Sequence, residues 1–288
     1  MFSRRLRSLL PLVSAVVLAA AGCAEFSFTG AGRATLTYTE DATAAYNEAL
    51  AAFKARNWED ARALFLEVKK LFAYSRYARL AELRLADIDC EQSKFSDAVA
   101  AYRDFVQNHR SDRDVEYARY RIAKSLFNDI EDSFILPPAE ERDQATTMSA
   151  YQELRNFLSD NPQSRYIVDV TDVHDVVLQR LARHELFVAR YYLKTDDFDA
   201  TVARIDYALA KYPGSGLDSE ALVLKGETLL KMKRVADARA VFEKVVAEYA
   251  TPFAESAKRY LQSLPPAKTD APTPAPDRRA RTPVERLF

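Results

Sequence analysis

The chain has 288 residues, of which 6 are glycine and 12 are proline; the glycine content is about one third of the protein average. Hydrophobic residues make up 48% and charged residues 29%, which is typical of a globular protein with a buried core. The net charge of −1 gives no electrostatic basis for nucleic-acid binding. No glycine occurs from residue 33 to residue 211. That absence excludes glycine-rich phosphate loops there and disfavours sandwiches and barrels, whose turns need positive φ angles.

The first 22 residues have the features of a bacterial targeting segment. Arginines in the first seven residues precede an apolar stretch, Leu9 to Ala21, which is too short to span a bilayer comfortably. Small residues then lead directly to Cys23, and this arrangement resembles the lipobox of bacterial lipoproteins, although Ala20 stands where that box usually has Leu. We therefore predict a signal peptide over 1–22 and lipidation of Cys23. The alternative is an ordinary signal peptide with an incidental cysteine.

Lipidation of Cys23 has consequences for the rest of the chain. Each buried CH₂ of an acyl chain contributes about 0.8 kcal/mol, so more than one chain holds a protein durably on a membrane. An acylated Cys23 could not pair with Cys90, the other cysteine of the sequence. Residue 24 is Ala rather than Asp, and resemblance to Gram-negative lipoproteins implies sorting to the outer membrane. Residues 23–38 are predicted to be a flexible tether, with structured sequence starting near Asp41.

An internal repeat organises residues 39–263. An aromatic or apolar residue is followed three positions later by a small residue and, four positions beyond that, by a large one. The five copies are Trp58-Ala61-Phe65, Phe95-Ala98-Tyr102, Thr147-Ala150-Leu154 (the weakest, since it opens on Thr), Phe198-Thr201-Ile205 and Val235-Ala238-Phe242. Twelve positions before the small residue, four copies carry another small residue: Ala49, Ala86, Ala189 and Gly226. Small residues let paired helices approach closely, so the pattern predicts an all-α, right-handed superhelical array of about five tetratricopeptide-like hairpins, an α-solenoid.

The repeat pattern divides this region into five units. The predicted bounds are 41–74, 75–111, 112–163, 164–214 and 215–262, and a proline-rich tail over 264–288 is predicted to be disordered. The third unit carries an insertion between Asn128 and Arg142. The fourth has a long first helix from Tyr166 to Lys194, about 40 Å at 1.5 Å per residue. An irregular helical bundle with chance matches is the alternative.

Helical-repeat arrays bind partners on an extended concave surface, which in tetratricopeptide repeats is lined largely by the first helix of each unit. This pattern places the following residues inward: Tyr46, Leu50, Phe53 and Lys54 in unit one, and Leu83, Asp87 and Glu91 in unit two. Aromatic and apolar side chains beside charges suit an extended or disordered peptide. The alternative is that Tyr46 and Phe53 pack under Trp58 within the first hairpin.

We find no pattern typical of a catalytic or metal site. His174 and His184 are ten residues apart on one predicted helix, about 15 Å of rise, which is too far for a shared metal. Cys90 has no histidine nearby in sequence and is predicted to be a half-buried helix residue. The sequence therefore predicts a protein that is not an enzyme and that needs no metal or cofactor.

Several stretches resemble the BamD family, lipoproteins of the outer-membrane β-barrel assembly machine. The segment Leu181–Lys194 (LARHELFVARYYLK), the following residues to Arg204, and Lys211–Ser215 (KYPGS) resemble the fourth repeat of that family. Further matches are RDQAT from Arg142 and NPQSRY from Asn161. The resemblance covers about residues 39 to 262. It includes the five repeats, the insertion in the third unit and the lipidated leader.

This resemblance implies a function at the periplasmic face of the outer membrane. Members of the family join the last POTRA domain of the barrel insertase through their C-terminal repeats. Their N-terminal repeats are thought to engage unfolded barrel substrates or the accessory lipoproteins. The resemblance places Arg204 in the docking surface, for a charge-assisted contact with a POTRA carboxylate. The alternative for Arg204 is a solvated helix arginine.

Two other classes of function remain open. One is a periplasmic tetratricopeptide scaffold for cell-envelope or division proteins, resembling the partner of the Tol system; that family usually has an N-terminal coiled coil, and no sustained heptads precede Asp41. The other is an enzyme with a helical-repeat accessory region, for which no length is left to form a catalytic domain. The basic, proline-rich tail departs from the BamD pattern and could bind a further partner.

Overall fold

The computed structural model describes residues 29–130 and 137–266, and side chains from residue 37 onward. The predicted signal peptide, Cys23 and most of the tail lie outside these residues. The described residues form eleven α-helices and one 3₁₀ turn, Ala139–Glu141. The helices are α1 Thr29–Lys54, α2 Trp58–Leu71, α3 Arg76–Glu91, α4 Phe95–Asn108, α5 Val115–Asn128, α6 Ala145–Asp160, α7 Ile167–Lys194, α8 Phe198–Lys211, α9 Asp218–Lys231, α10 Val235–Glu248 and α11 Pro252–Ser263.

The first ten helices form five hairpins, each an odd-numbered helix followed by an even-numbered one. Every helix packs on its neighbours in the chain, and the first helices of adjacent units also contact each other, as in α1 with α3 and α5 with α7. Helix α11 packs on both α9 and α10 and covers the end of the array. The predicted class, an all-α tetratricopeptide-type solenoid, is confirmed.

The repeat positions form the core between the paired helices. The small residues Ala61, Ala98, Ala150, Thr201 and Ala238 are all 0% exposed. The large residues four positions later, Phe65, Tyr102, Leu154, Ile205 and Phe242, are at most 1% exposed. Thr201 fits this small position because its buried hydroxyl donates a hydrogen bond to the backbone oxygen of Asp197, 2.8 Å away. The sequence pattern therefore located the contact line of each hairpin.

The turns inside four of the hairpins share one backbone conformation. Arg56, Ser93, Asp196 and Lys233 each lie two residues before the second helix of their unit and have φ angles of 58° to 61°. In each turn the backbone N–H of the next residue bonds to a carbonyl oxygen five residues back, for example Asn57 to Ala52 at 3.1 Å. These are left-handed closing turns of the kind that usually carries glycine. The scarcity of glycine therefore does not mean a scarcity of positive-φ turns.

Helix α1 begins earlier than predicted. It starts at Thr29, inside the segment 23–38 that we predicted to be a flexible tether, and twelve residues before the predicted start at Asp41. The prediction of where helical structure starts was wrong because it rested on the small, polar, glycine-containing composition of residues 24–37. Glycine costs a helix about 1 kcal/mol, and no proline follows it before Lys54 to end the helix.

The insertion of unit three and the long first helix of unit four lie where the sequence predicts them. Helix α7 has 28 residues and begins one residue after the predicted start at Tyr166. The insertion after α5 returns through the 3₁₀ turn, which packs on α7. His184 of α7 donates from Nδ1 to the backbone oxygen of Glu140, 2.7 Å away, and so fixes this connection to the long helix.

Candidate protein-binding surface

The predicted binding residues of unit one are used mainly to build the first hairpin. The Phe53 ring lies 5.4 Å from that of Trp58, edge to face, and 6.4 Å from that of Phe65. Tyr46 is 8% exposed and its ring is 5.6 Å from Phe65. The alternative in which both aromatics pack within the hairpin therefore describes them better. Leu50 is half-buried and Lys54 is exposed.

The predicted binding residues of unit two are not on an open surface. Leu83 and Asp87 are each 1% exposed. Leu83 belongs to the apolar cluster that contains Tyr102 and Phe105 of α4. Helix α3 packs on both α2 and α4, so positions that would be open in an end helix are covered here. The prediction that Leu83 and Asp87 line an open binding surface was wrong, whereas Glu91, predicted for the same surface, is exposed.

Asp87 is instead the centre of a buried polar cluster between units two and three. Its Oδ1 accepts hydrogen bonds from the hydroxyls of Tyr102 and Tyr117, the second at 2.7 Å. Arg121 Nη1 lies 3.0 Å from the same oxygen, and Arg84 Nη1 lies 2.5 Å from Oδ2. A buried carboxylate is stable only with such partners. One carboxylate of α3 is thus held by side chains from α3, α4 and α5.

The two arginines of this cluster also lie against tyrosine rings. The guanidinium carbon of Arg84 is 5.3 Å from the centre of the Tyr117 ring, and the guanidinium carbon of Arg121 is 5.8 Å from the same centre. Both arginines therefore make cation–π contacts with Tyr117. Arg121 also donates to the Tyr117 hydroxyl at 3.0 Å. Burial and the charge of Asp87 both raise the pKa of Tyr117, so this phenol stays neutral. Burial lowers the pKa of Arg84, but the charge of Asp87 and the neighbouring hydroxyls of Tyr117, Tyr46 and Tyr102 together outweigh it, so the net shift is upward.

The cluster joins an open groove along the first helices. The groove has a volume of about 540 Å³, and Tyr117 lines it. The other residues that line it are Arg76, Arg113, Asp114, Glu116, Arg165 and Tyr166. We call this concavity, together with Arg84 and Arg121, the first-helix groove.

Aromatic side chains also contact each other between neighbouring units. Tyr46 of α1 contacts Tyr77 of α3 at 5.3 Å between ring centres. Tyr120 of α5 stacks on Tyr166, which immediately precedes α7, at 4.2 Å and an interplanar angle of 5°. Burial and the hydrogen bond that Tyr120 donates to Asp169 raise the pKa of Tyr120 to about 12. Of these tyrosines, Tyr166 lines the groove together with Tyr117, and each has an arginine against its ring, a combination that suits an unfolded chain.

Sequence reasoning missed the residues that form this groove, although a signal was present. The tripeptide Tyr-Ala-Arg occurs at 77–79 near the start of α3 and at 117–119 near the start of α5. In both copies the alanine is buried, and the arginine forms an ion pair of 2.7 Å, Arg79 with Asp112 and Arg119 with Asp160. The tyrosine of each copy lies on a first helix, α3 or α5. This second repeat marks Tyr117, which lines the groove, and Tyr77, which contacts Tyr46.

Arg204 occupies a different part of the array. It lies on α8, and its Nη1 is 3.1 Å from Glu185 Oε2 of α7. Its side chain is 43% exposed, whereas that of Glu185 is 9% exposed. Arg204 is therefore neither buried nor simply solvated, since one side of it is held by a nearly buried carboxylate while the rest faces solvent.

Two further observations concern other kinds of site. Among residues 29–130 and 137–266, no three His, Cys, Asp or Glu side chains are grouped so that they could hold a metal ion. Within the same ranges no helix combines the length and apolar character needed to cross a membrane. Cys90 is half-buried, as predicted, and its Sγ lies 3.0 Å from Ser125 Oγ.

The fold and the groove define a helical-repeat protein with an extended surface for other proteins. The sequence profile of the YfiO family, described as an outer membrane lipoprotein, matches residues 39–245. The chain belongs to this family.

Two relatives of known name support this assignment. The chain is 27% identical over 199 residues to the outer membrane protein assembly factor BamD of Xylella fastidiosa strain 9a5c, covering 67% of this chain and 68% of that protein. It is 28% identical over 205 residues to the BamD of Neisseria meningitidis serogroup A, covering 69% and 76%. Among solved structures, the TPR2AB domain of yeast Sti1 in a complex with pHSP90 aligns with a TM-score of 0.40 at 12% identity, covering 77% of this chain and 96% of that one.

Proposed function

We propose that the protein is a component of the outer-membrane β-barrel assembly machine and acts as a scaffold without enzymatic activity. The observation that carries the proposal is the family match over residues 39–245, which spans all five hairpins except the start of α1 and the end of α10. The named relatives are assembly factors called BamD. A solenoid of this kind binds through an extended surface.

The scaffold is held on the periplasmic face of the outer membrane by lipidation of Cys23. Helix α1 starts six residues after this cysteine, so the first hairpin lies close to the anchor along the chain. Metabolic labelling with a palmitate analogue tests the anchor. Wild type is expected to incorporate label and Cys23→Ala is expected to lose it, whereas equal labelling of both would contradict lipidation at this residue.

The C-terminal repeats dock a POTRA domain of the barrel insertase, and Arg204 contributes a charge-assisted contact. The exposed part of this arginine supports the assignment, because Glu185 fixes the guanidinium while leaving donors toward solvent. A contact with a partner carboxylate needs such a held but accessible cation.

Pull-down of the barrel subunit tests the role of Arg204. Arg204→Ala is expected to weaken capture and Arg204→Glu to abolish it through like-charge repulsion. Arg234→Glu is a matched control, because Arg234 is 52% exposed and is paired with Asp237 at 2.7 Å in the next hairpin. Capture that is unchanged in both Arg204 variants would remove this residue from the docking surface.

The first three units engage unfolded outer-membrane barrel proteins or the accessory lipoproteins of the machine. Tyrosine rings and arginines along the first-helix groove support this role, since they bind an extended chain without demanding one sequence. Of the other residues predicted to bind, Lys54 and Glu91 are exposed and Leu50 is half-buried.

Co-purification from solubilised outer membrane tests the proposal as a whole. The barrel insertase and its lipoproteins are expected among the captured proteins. Recovery of only Tol or cell-wall proteins would contradict the assembly role and favour the scaffold for cell-envelope or division proteins.

A further inference from the structure

The turn between α2 and α3 exposes two large apolar side chains. Leu71, the last residue of α2, is 55% exposed, and Tyr74 in the turn is 97% exposed. We call residues 70–74 the unit-one tip. Single exposed apolar residues are common on protein surfaces, whereas a group of them on one turn marks a site of contact.

The repeat provides an internal comparison for both positions. Counted from the large core residue Phe65, Leu71 lies six positions later and Tyr74 nine positions later. At the first of these positions the other four units carry polar residues: Asn108, Asp160, Lys211 and Glu248. At the second they carry polar residues or glycine: Ser111, Gln163, Gly214 and Thr251. Of the five units, all within the described part of the chain, only unit one is apolar at both positions.

The unit-one tip is held in place from both sides. The ring of Phe72 packs inward, edge to face against Tyr38 of α1 at 5.3 Å between ring centres. The backbone N–H of Ser75 donates to the backbone oxygen of Phe72 at 2.8 Å, and Ser75 Oγ accepts from the N–H of Ala78 at 3.1 Å to cap α3. The exposed side chains on either side of Phe72 are therefore presented by a fixed turn.

The tip lies at the end of the hairpin that is nearest to Cys23 along the chain. Tyr38 is nine residues after Thr29, so α1 extends about 14 Å past the contact between Tyr38 and Phe72. Six residue steps join Cys23 to Thr29, and they reach up to about 20 Å when extended. Because this reach exceeds the 14 Å extension of α1, an acyl chain on Cys23 can enter the same membrane surface that the tip contacts.

Lysines stand beside the apolar residues of the tip. The last turn of α2 carries Lys69 and Lys70, both exposed. Lys69 pairs with Glu82 at 3.2 Å, whereas Lys70 forms no ion pair among residues 37–130 and 137–266. The exposed acid Glu67 is set back by about one helical turn, and the first acids of α1 follow Tyr38 by two and three residues. A cation is thus the charge closest in sequence to Leu71.

We propose that the unit-one tip contacts the membrane surface, with Leu71 and Tyr74 among the lipid headgroups and Lys70 at an anionic phosphate. Tyrosine favours the membrane interface, and a lysine reaches lipid phosphates while its alkyl chain lies along apolar surface. The inference rests on the proposed lipid anchor. An anchor at one point leaves the orientation of the array free, and a second contact at the same end of the array restricts it.

Tryptophan fluorescence of the lipidated protein in vesicles tests this contact. Trp58→Phe removes the single tryptophan of the sequence, and Tyr74→Trp then places one at the tip. The protein is purified from membranes and reconstituted in vesicles of phosphatidylethanolamine and phosphatidylglycerol, with and without lipids that carry a nitroxide quencher at headgroup depth. The quencher is expected to lower the emission by about half, because an indole at the interface lies close to the nitroxide.

Two further variants in the same background control for the reporter itself. Gln163→Trp is the matched control, because Gln163 is exposed and has the same turn position in unit three, and its emission is expected to stay unchanged. Lys70→Glu with Leu71→Asn, added to Tyr74→Trp, replaces the cation by an anion and gives unit one the residue that unit two has at Asn108. This variant is expected to lose the quenching, since both changes affect exposed side chains and leave the core intact.

The outcomes separate this inference from the proposed anchor. Protein that floats with the vesicles while Tyr74→Trp stays unquenched would overturn the tip contact and leave the anchor intact. Equal quenching at Gln163→Trp would also overturn it, because the membrane would then face the whole edge of the array. Quenching that survives Lys70→Glu with Leu71→Asn would assign the insertion to the added indole. Wild type that does not float with vesicles would contradict the anchor and the tip contact together.

Discussion

Gly226 of α9 lies directly beneath the ring of Phe242 of α10. A Cβ atom built on this glycine would be 2.4 Å from Phe242 Cε1 and 2.5 Å from Cζ, closer than such atoms ever approach. Phe242 is 0% exposed, and its other face stacks on Tyr260 of α11 at 4.8 Å. The ring cannot move away without disturbing the helix that covers the end of the array.

Gly226→Ala is therefore expected to destabilise the protein although alanine is the better helix former. Replacing glycine by alanine raises helix propensity by about 1 kcal/mol. Overpacking a closed core costs roughly 1–3 kcal/mol, and strain in α11 adds to this. We expect a net loss of about 1 kcal/mol, measured by urea unfolding. Phe242→Leu in the Gly226→Ala background is the control, because it makes room for the new methyl group and should cost less there than in wild type. Additive effects would contradict the packing argument.

Glycine substituted at a left-handed turn should have the opposite effect. Lys233 is exposed and has a φ of 61°, a conformation that costs a residue with a Cβ atom roughly 1–2 kcal/mol. Lys233→Gly removes this strain but recovers only part of its cost, because glycine loses more chain entropy on folding than lysine does. We expect a stability gain of about 0.5 kcal/mol by urea unfolding. Glu243→Gly, at an exposed position inside α10, is the control and should lose about 1 kcal/mol. A loss in both variants would show that the turn stores no strain.

The array was predictable from sequence because its packing repeats. A small residue like Ala61 and a large residue like Phe65 occur at the same spacing in each of the five hairpins, and each pair is buried. Five copies of a weak local pattern therefore support one prediction. The start of α1 was not predictable in this way. Residues 29–40 precede the first repeat, and only local propensity was available there.

The groove was harder to predict because it is formed between units. Asp87 is on α3, but its partners Tyr102, Tyr117 and Arg121 are 15, 30 and 34 residues further along the chain. Helix periodicity assigns an acidic residue to the solvent side and carries no information on a distant partner that would bury it. Helix periodicity also misplaced Leu83 on the binding surface, because it carries no information on the α4 side chains that bury this residue. Pairing across units needs the three-dimensional arrangement.

Acid should weaken the join between units three and four through Asp169. Burial by itself raises the pKa of Asp169, but hydrogen bonds from Lys124 at 2.8 Å and from Tyr120 at 2.7 Å outweigh it, so the pKa lies below its ordinary value of 3.8. A lowered pKa in the folded state contributes stability that is fully present above pH 3.8 and is lost as the pH falls through the lowered value.

Urea unfolding of wild type and Asp169→Asn at pH 6 and pH 3 measures this contribution. The variant is expected to be less stable at pH 6, with the difference from wild type shrinking toward pH 3. Asp172→Asn changes an exposed residue of the same helix and serves as the control for a general charge effect. A difference that stays constant with pH would show that the Asp169 contacts do not depend on its charge.

Phe53 distinguishes packing from docking in the first hairpin. Its half-buried ring contacts Trp58 and Phe65, so Phe53→Ala is expected to remove core contacts and to cost about 2 kcal/mol, less than a fully buried phenylalanine. Trp58 is the single tryptophan of the sequence, and its fluorescence therefore reports unfolding of unit one. In a repeat array, contacts are made with neighbouring units, so the urea midpoint by fluorescence should fall further than the midpoint by far-UV circular dichroism.

Lys54→Ala is the matched control for Phe53→Ala, because Lys54 is the adjacent residue and is exposed. It should change the free energy of unfolding obtained from either signal by no more than about 0.5 kcal/mol, as surface substitutions usually do. If Phe53 served a partner rather than the hairpin, Phe53→Ala would leave the fluorescence midpoint unchanged and reduce capture of unfolded barrel protein. A shift of the midpoint with capture reduced only in proportion to the unfolded fraction would instead assign Phe53 to the core of unit one.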